Sequence, residues 1–211
     1  DLDMKLWQKE NTATAAAIEQ FTVGRDREMD LHLAAADVLG SLAHARMLQA
    51  IGLLTADELT QLHRELRHIS REIDAGRFFI EDGIEDVHSQ IEHLLTQRLG
   101  DVGKKIHSGR SRNDQVLTAI KLYLRGRLAA LARQTHRLFD LLIDRSEAHK
   151  DALLPGYTHL QVAMPSSFGL WFGAYAESLT DDMLLVQAAY RVANKNPLGS
   201  GAGYGSSFPL N

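Results

Sequence analysis

Val116-Leu-Thr-Ala-Ile-Lys-Leu-Tyr-Leu-Arg-Gly-Arg-Leu-Ala-Ala-Leu-Ala-Arg-Gln-Thr-His-Arg-Leu-Phe-Asp-Leu-Leu142 decides the fold class. Leu117, Ile120, Leu124, Leu128, Leu131, Leu138, Leu141 and Leu142 form a stripe at helical spacing, and no proline interrupts it through about residue 150. At about 1.5 Å per residue, the predicted helix is on the order of 50 Å long. One small domain cannot cover such a face. It therefore predicts a multi-helix bundle or an intersubunit coil.

The pattern extends outward in both directions. All four prolines, Pro155, Pro165, Pro197 and Pro209, lie after residue 154, so the strongest helix breaker is absent upstream. Leu31, Ala34, Ala35, Val38, Leu42, Ala45 and Leu48 predict a helix over 27–51 that stops at Gly52. Thr55-Ala-Asp-Glu58 has capping-box spacing, and Leu59, Leu62, Leu66, Ile69 and Ile73 continue at helical steps to Gly76. A shorter helix fits 85–99, and a second long one starts at Pro165 and runs to about 193. Arg77 to Ile80 is the only strand candidate. The chain reads as all-α: an N-terminal helical domain over 1–110, then the first part of a long central helical bundle over 111–211.

Composition narrows the function. The 211 residues are 45% hydrophobic and 24% charged, which excludes whole-chain disorder. Lys+Arg number 23 against 27 Asp+Glu, a formal net charge of −4. No global positive field is available for nucleic acid or an anionic membrane. Lys104, Lys105, Arg110 and Arg112 form a local basic cluster, but no aromatic residue interleaves with it. Cysteine is absent, so disulfides, thiolate nucleophiles and cysteine-ligated metals are excluded. The first thirty residues are too polar for a signal peptide and no run reaches a membrane span, so a cytoplasmic location is expected. The start at Asp1 and the Gly/Ser-rich end read as a piece of a longer chain.

Four polar segments between helices can carry chemistry. Gly109-Arg-Ser-Arg-Asn-Asp-Gln115 opens the longest helix, with Ser111 as its expected N-cap beside Arg110, Arg112 and Asn113. It reads either as a carboxylate or phosphate receptor at a helix N-terminus or as a plain cap with solvated arginines. Leu154-Pro-Gly-Tyr-Thr-His-Leu-Gln161 is expected to be a loop that places the Thr158 hydroxyl beside the His159 imidazole. It is either a proton relay or a loop histidine bonded to backbone. Glu85-Asp-Val-His-Ser-Gln-Ile-Glu-His93 hints at metal, but His88 and His93 lie on different helix faces. Only His88 and Glu92 share a face, which is too few ligands for a metal. Pro197-Leu-Gly-Ser-Gly-Ala-Gly-Tyr-Gly-Ser-Ser-Phe-Pro209 is a mobile lid, a backbone cradle for an anion or a flexible linker. It lacks dinucleotide and P-loop spacing.

Taken in order, these segments resemble the argininosuccinate lyase family of the fumarase/aspartase superfamily. The likeness rests on Lys5-Leu-Trp7, Asp37-Val-Leu-Gly-Ser-Leu-Ala-His44, Glu85 to Glu92, Gly109 to Val116, Gly156-Tyr-Thr-His-Leu-Gln161 and Pro197-Leu-Gly-Ser-Gly201. The resemblance implies an all-α homotetramer with active sites shared between subunits. It also implies reversible cleavage of argininosuccinate to arginine and fumarate without cofactor or metal. By the same resemblance Arg112 and Asn113 bind substrate carboxylates with Ser111 in the same motif, Thr158 hydrogen-bonds substrate, His159 takes the acid/base role, and His88 supports the site. Two features depart from the family pattern. Gln8-Lys-Glu follows Trp7 where Gly-Gly-Arg-Phe is usual, and Asp26 stands where a substrate-binding Ser is often found. The Ser-Ser-x-Met-Pro-x-Lys loop that holds the family's base serine is missing and would follow residue 211, so residues 1–211 alone are expected to be inactive. A sister lyase acting on adenylosuccinate and a non-catalytic structural protein on the same scaffold are the alternatives.

Overall fold

The computed structural model describes residues 21, 23–201 and 203–210. Its elements run in the order α1 (Asp26–Asp30), a 3-10 turn (Leu31–Leu33), α2 (Ala34–Ala50), α3 (Ala56–Asp74), α4 (Val87–Leu99), α5 (Asp101–Lys104), a second 3-10 turn (Lys105–His107) and α6 (Arg112–Ala148). Then come β1 (Leu153–Thr158), β2 (Gln161–Ser167) and α7 (Phe168–Ala193). The helical class is as expected. The motif Lys5-Leu-Trp7 and its neighbours lie outside the described residues. The described residues divide into two compact units, those up to Tyr123 together with those from Asn196 onward, and Leu124–Lys195.

The first unit is built on three helical faces. Ala34, Val38, Ala45 and Leu48 of α2 meet Leu62, Leu66 and Ile69 of α3 and Val87, Ile91 and Leu95 of α4 in one buried cluster. Ends are set locally. Thr55 caps α3 with a complete capping box to Glu58, and Asp86 caps α4 by accepting the Ser89 N–H at 2.6 Å. Gly103 lets α5 approach α4 closely, because a Cβ there would stand 2.6 Å from the Thr96 nitrogen.

The second unit holds most of α6, the hairpin and α7. Residues 154–161 are not the expected loop. β1 and β2 pair antiparallel, with Leu153 opposite Ser167, Pro155 opposite Pro165 and Thr158 opposite Gln161. The periodicity missed this hairpin because its side chains are largely exposed on both faces, which removes the apolar alternation that betrays a half-buried strand. Pro165 consequently lies within β2 and does not start the next helix. That role falls to Ser167, whose Oγ accepts the Leu170 N–H at 3.1 Å and caps α7. Gly169 sits against the end of α6, where a Cβ would meet the Ser146 carbonyl oxygen at 2.7 Å. Among the described residues no helix is long and apolar enough to cross a membrane.

Candidate active site

The first turn of α6 is assembled by its own side chains. The Ser111 carbonyl accepts the Gln115 N–H at 3.2 Å, and the Ser111 Oγ accepts the Asn113 N–H at 3.3 Å. Ser111 is thus the N-cap the sequence predicts. Asp114 reaches back to accept the Ser111 N–H at 2.9 Å. The Asn113 side-chain amide also donates to Ser111 Oγ, at 3.0 Å. Both acceptor sites of that hydroxyl are therefore occupied, which leaves its hydrogen as its remaining bonding group.

The two arginines behave differently from each other. Arg110 is not solvated but turned inward and buried. Its Nη1 donates to Ser41 Oγ at 3.0 Å, and its Nη2 lies 3.6 Å from Glu92 Oε1. Burial pulls its pKa down, against the opposing attraction of Asp37 and Glu92. Arg112 is partly exposed, yet protein groups already hold its guanidinium. Nη2 donates to Ser89 Oγ at 3.1 Å, Nη1 donates to Gln115 Oε1 at 2.9 Å, and Nε stands 3.6 Å from Asp86 Oδ2. Asn113 is the exposed member of the motif.

His88 is buried and donates through Nδ1 to Asp37 Oδ1 at 2.8 Å; Gln115 donates to the same oxygen at 2.9 Å. Burial raises the Asp37 pKa, but the His88 bond and charge, Arg110 and Gln115 outweigh it and hold the carboxyl below its usual range. An ionised carboxylate only accepts, which assigns the hydrogen to Nδ1 of His88. Glu92 behaves alike. Burial opposes its ionisation, yet the His107 hydrogen bond at 2.9 Å and the charges of Arg112 and Arg110 keep it ionised. The metal-like spacing of His88 and Glu92 is accordingly taken up by separate partners. Among the described residues no group of three His, Cys, Asp or Glu side chains could hold a metal ion.

Thr158 and His159 lie in the other unit, at the hairpin turn, where Thr158 Oγ1 stands 2.9 Å from His159 Nδ1. His159 and Leu160 have φ of 50° and 63°, the pair of positive values a tight two-residue hairpin requires. Without glycine, that turn stores strain of about 1–3 kcal/mol per residue, a feature that concentrates at functional sites.

Sequence reasoning missed Asp37, Ser41, Ser89 and Gln115 as members of this network. A signal existed in α2, where Asp37, Ser41 and His44 interrupt an otherwise apolar face at helical spacing and are all buried. Sequence reasoning read residues 197–209 as a mobile lid, a backbone cradle for an anion or a flexible linker. The structure holds the start of this segment on α6, with the Gly199 and Gly201 N–H groups donating to Asp114 Oδ2 at 3.1 and 2.9 Å.

The start of α6 thus presents the Ser111 hydroxyl and the Asn113 amide on a mostly helical scaffold. The profile of the family described as Lyase matches residues 9–210, and the chain belongs to that family. Its similar relatives are more particular. It is 65% identical over 206 residues to an argininosuccinate lyase of Phocaeicola vulgatus, covering 98% of this chain and 46% of that protein. It is 66% identical over 207 residues to one of Parabacteroides distasonis, with the same coverage of 98% and 46%. The argininosuccinate lyase of Stenotrophomonas maltophilia strain R551-3 is 44% identical over 205 residues, covering 97% and 48%. The chain thus spans about half the length of the curated relatives it matches. Among solved structures, an EDDS lyase in complex with formate superposes with a TM-score of 0.72 at 25% identity, over 95% of this chain and 40% of that one. A fumarate lyase:delta crystallin from Brucella melitensis in native form shares the fold, with a TM-score of 0.69 at 18% identity over 85% and 45% of the two chains.

Proposed function

We propose that the protein carrying these residues cleaves argininosuccinate to arginine and fumarate, as the names of its relatives imply. The observation that carries this reading is the start of α6, where Ser111 and Asn113 present hydrogen-bond donors at a positive helix end within a family of lyases.

Elimination removes a proton from the carbon next to a carboxylate and leaves negative charge on that carboxylate. The electron pair then forms the carbon–carbon double bond, and the carbon–nitrogen bond breaks toward the departing guanidino nitrogen. Donors fixed at the carboxylate stabilise this charge. In this reading the Ser111 hydroxyl and the Asn113 amide bind one substrate carboxylate, with Arg112 adding charge from behind its own partners. Thr158 hydrogen-bonds substrate, His159 manages protons in the acid/base role, and His88 supports the site. The protein works as a homotetramer with shared active sites and needs no cofactor.

The test uses the full-length polypeptide with argininosuccinate and follows fumarate by ultraviolet absorbance. Turnover is expected, and His159→Asn should lower it by roughly a hundredfold or more, the typical loss for an acid/base group. Absence of turnover in the wild type overturns the activity. Undiminished turnover in the variant overturns the role of His159.

A further inference from the structure

Asp114 makes more contacts than a helix cap requires. It is 1% exposed, and three backbone N–H groups converge on its carboxylate, from Ser111 on Oδ1 and from Gly199 and Gly201 on Oδ2. Gly199 and Gly201 reach it with φ of 98° and 61°, values that favour glycine. The same segment is pinned a second time further along. Gly109, on the other side of the anion-binding turn, lies under Leu210 and Phe208, and a Cβ built on it would stand 2.9 Å and 3.5 Å from their side chains. The described residues 197–201 and 203–210 therefore form a strap fastened on both flanks of Arg110-Ser-Arg-Asn113.

We propose that Asp114 is a positioning residue that couples the seating of this strap to anion binding at Ser111 and Asn113; this rests on the reading of that turn as a carboxylate site. One carboxylate serves both partners. Through Oδ1 it fixes the Ser111 backbone, and so the direction in which the Ser111 hydroxyl is offered. Through Oδ2 it holds the strap. When the strap lifts, a buried carboxylate oxygen loses both N–H donors, so Asp114 must turn toward water and release Ser111 as it does so. Linkage then requires reciprocity: an anion bound at the turn seats the strap more firmly by the same factor as the seated strap favours the anion.

Hydrogen exchange and steady-state kinetics on the full-length protein, with fumarate as the probe anion, test this. In the wild type, fumarate should slow exchange of the Gly199 and Gly201 amides. Asp114→Asn should speed it and raise KM by roughly tenfold with a smaller change in kcat, within the usual range of coupling between sites. Phe208→Ala loosens the other fastening without changing a residue of the turn, so it serves even if Asp114→Asn folds poorly, and it should raise KM in the same sense. Faster strap exchange in Phe208→Ala with KM unchanged would overturn the coupling, as would unchanged exchange in a folded Asp114→Asn. A wild type that neither turns over substrate nor responds to fumarate overturns the proposed function and this inference together. A wild type that responds while both variants bind equally well overturns this inference alone.

Discussion

The imidazole of His88 and the carboxylate of Asp37 meet at 2.8 Å in a pocket where each side chain is 1% exposed, although 51 residues separate them in sequence. The pair also balances Arg110, whose charge helps keep Asp37 ionised. Asp37→Asn removes the only charge that faces His88 in that bond and leaves the buried guanidinium short of a counterion. Breaking a buried pair from one side should cost about 3 kcal/mol of folding stability. Urea unfolding measures it, and a loss under about 1 kcal/mol would put the pair among those of negligible net worth.

His44 makes a prediction about acid. Burial first, then the charge of Arg110, pushes its pKa down from 6.5 to about 4, while its Nε2–H donates to the Ser108 carbonyl at 3.0 Å. Asp114 and His107 are the other titratable groups that act on it. A depressed histidine binds fewer protons folded than unfolded. Its contribution is therefore complete above pH 6.5 and is lost as pH falls toward 4, by about 3 kcal/mol. Asp37 and Glu92, both lowered, lose their contributions only below the ordinary carboxylate range. In His44→Gln, whose amide can still donate to Ser108, unfolding midpoints should become flatter with pH across that window. An unchanged slope would assign the acid sensitivity elsewhere.

Two glycines should respond in opposite directions to alanine. At Gly103 the new Cβ would meet the backbone of Leu95 and Thr96, which cannot yield, and overpacking there should cost about 1–3 kcal/mol. Gly126, inside α6, has nothing within 4 Å of an added Cβ. Gly126→Ala should therefore stabilise the protein by about 0.5–1 kcal/mol through helix propensity. Paired melting curves decide both, and a matching sign at the two sites would contradict the steric argument.

Leu117, Leu124, Leu131 and Leu138 are spaced seven apart on α6 and are between 41% and 49% exposed. A seven-residue apolar seam is what a neighbouring helix packs against. If the proposed homotetramer uses it, Leu131→Glu should lower the assembly mass in sedimentation while leaving the helical content of the chain intact. Wild-type mass in that variant would remove this seam from the interface.

The helices were legible because their signals are local. Leu62, Leu66 and Ile69 recur on one face of α3, and Thr55 and Glu58 cap it within four residues, so a short window of sequence contains the whole reason for the element. The hairpin was illegible for the opposite reason. Exposed on both faces and interrupted by Pro155 and Pro165, it is stabilised by pairing along β1 and β2 and not by any apolar alternation. At the candidate site, the motif from Gly109 to Gln115 announced its donors, but not that Arg110 turns inward to Ser41 or that Gln115 reaches Asp37 across 78 residues.

The sequence by itself determined the helical class, the capped start of α6 and the chemical types gathered there, because periodicity and capping depend on neighbours within a turn or two. Only the tertiary structure decided what those groups are free to do. It buried one arginine and engaged the other with Glu92, Gln115 and Ser89, and it fastened the glycine segment to Asp114. The physical reason is that a charge or an N–H acts according to its partners and its distance from water. Those partners arrive from distant parts of the chain only once it has folded.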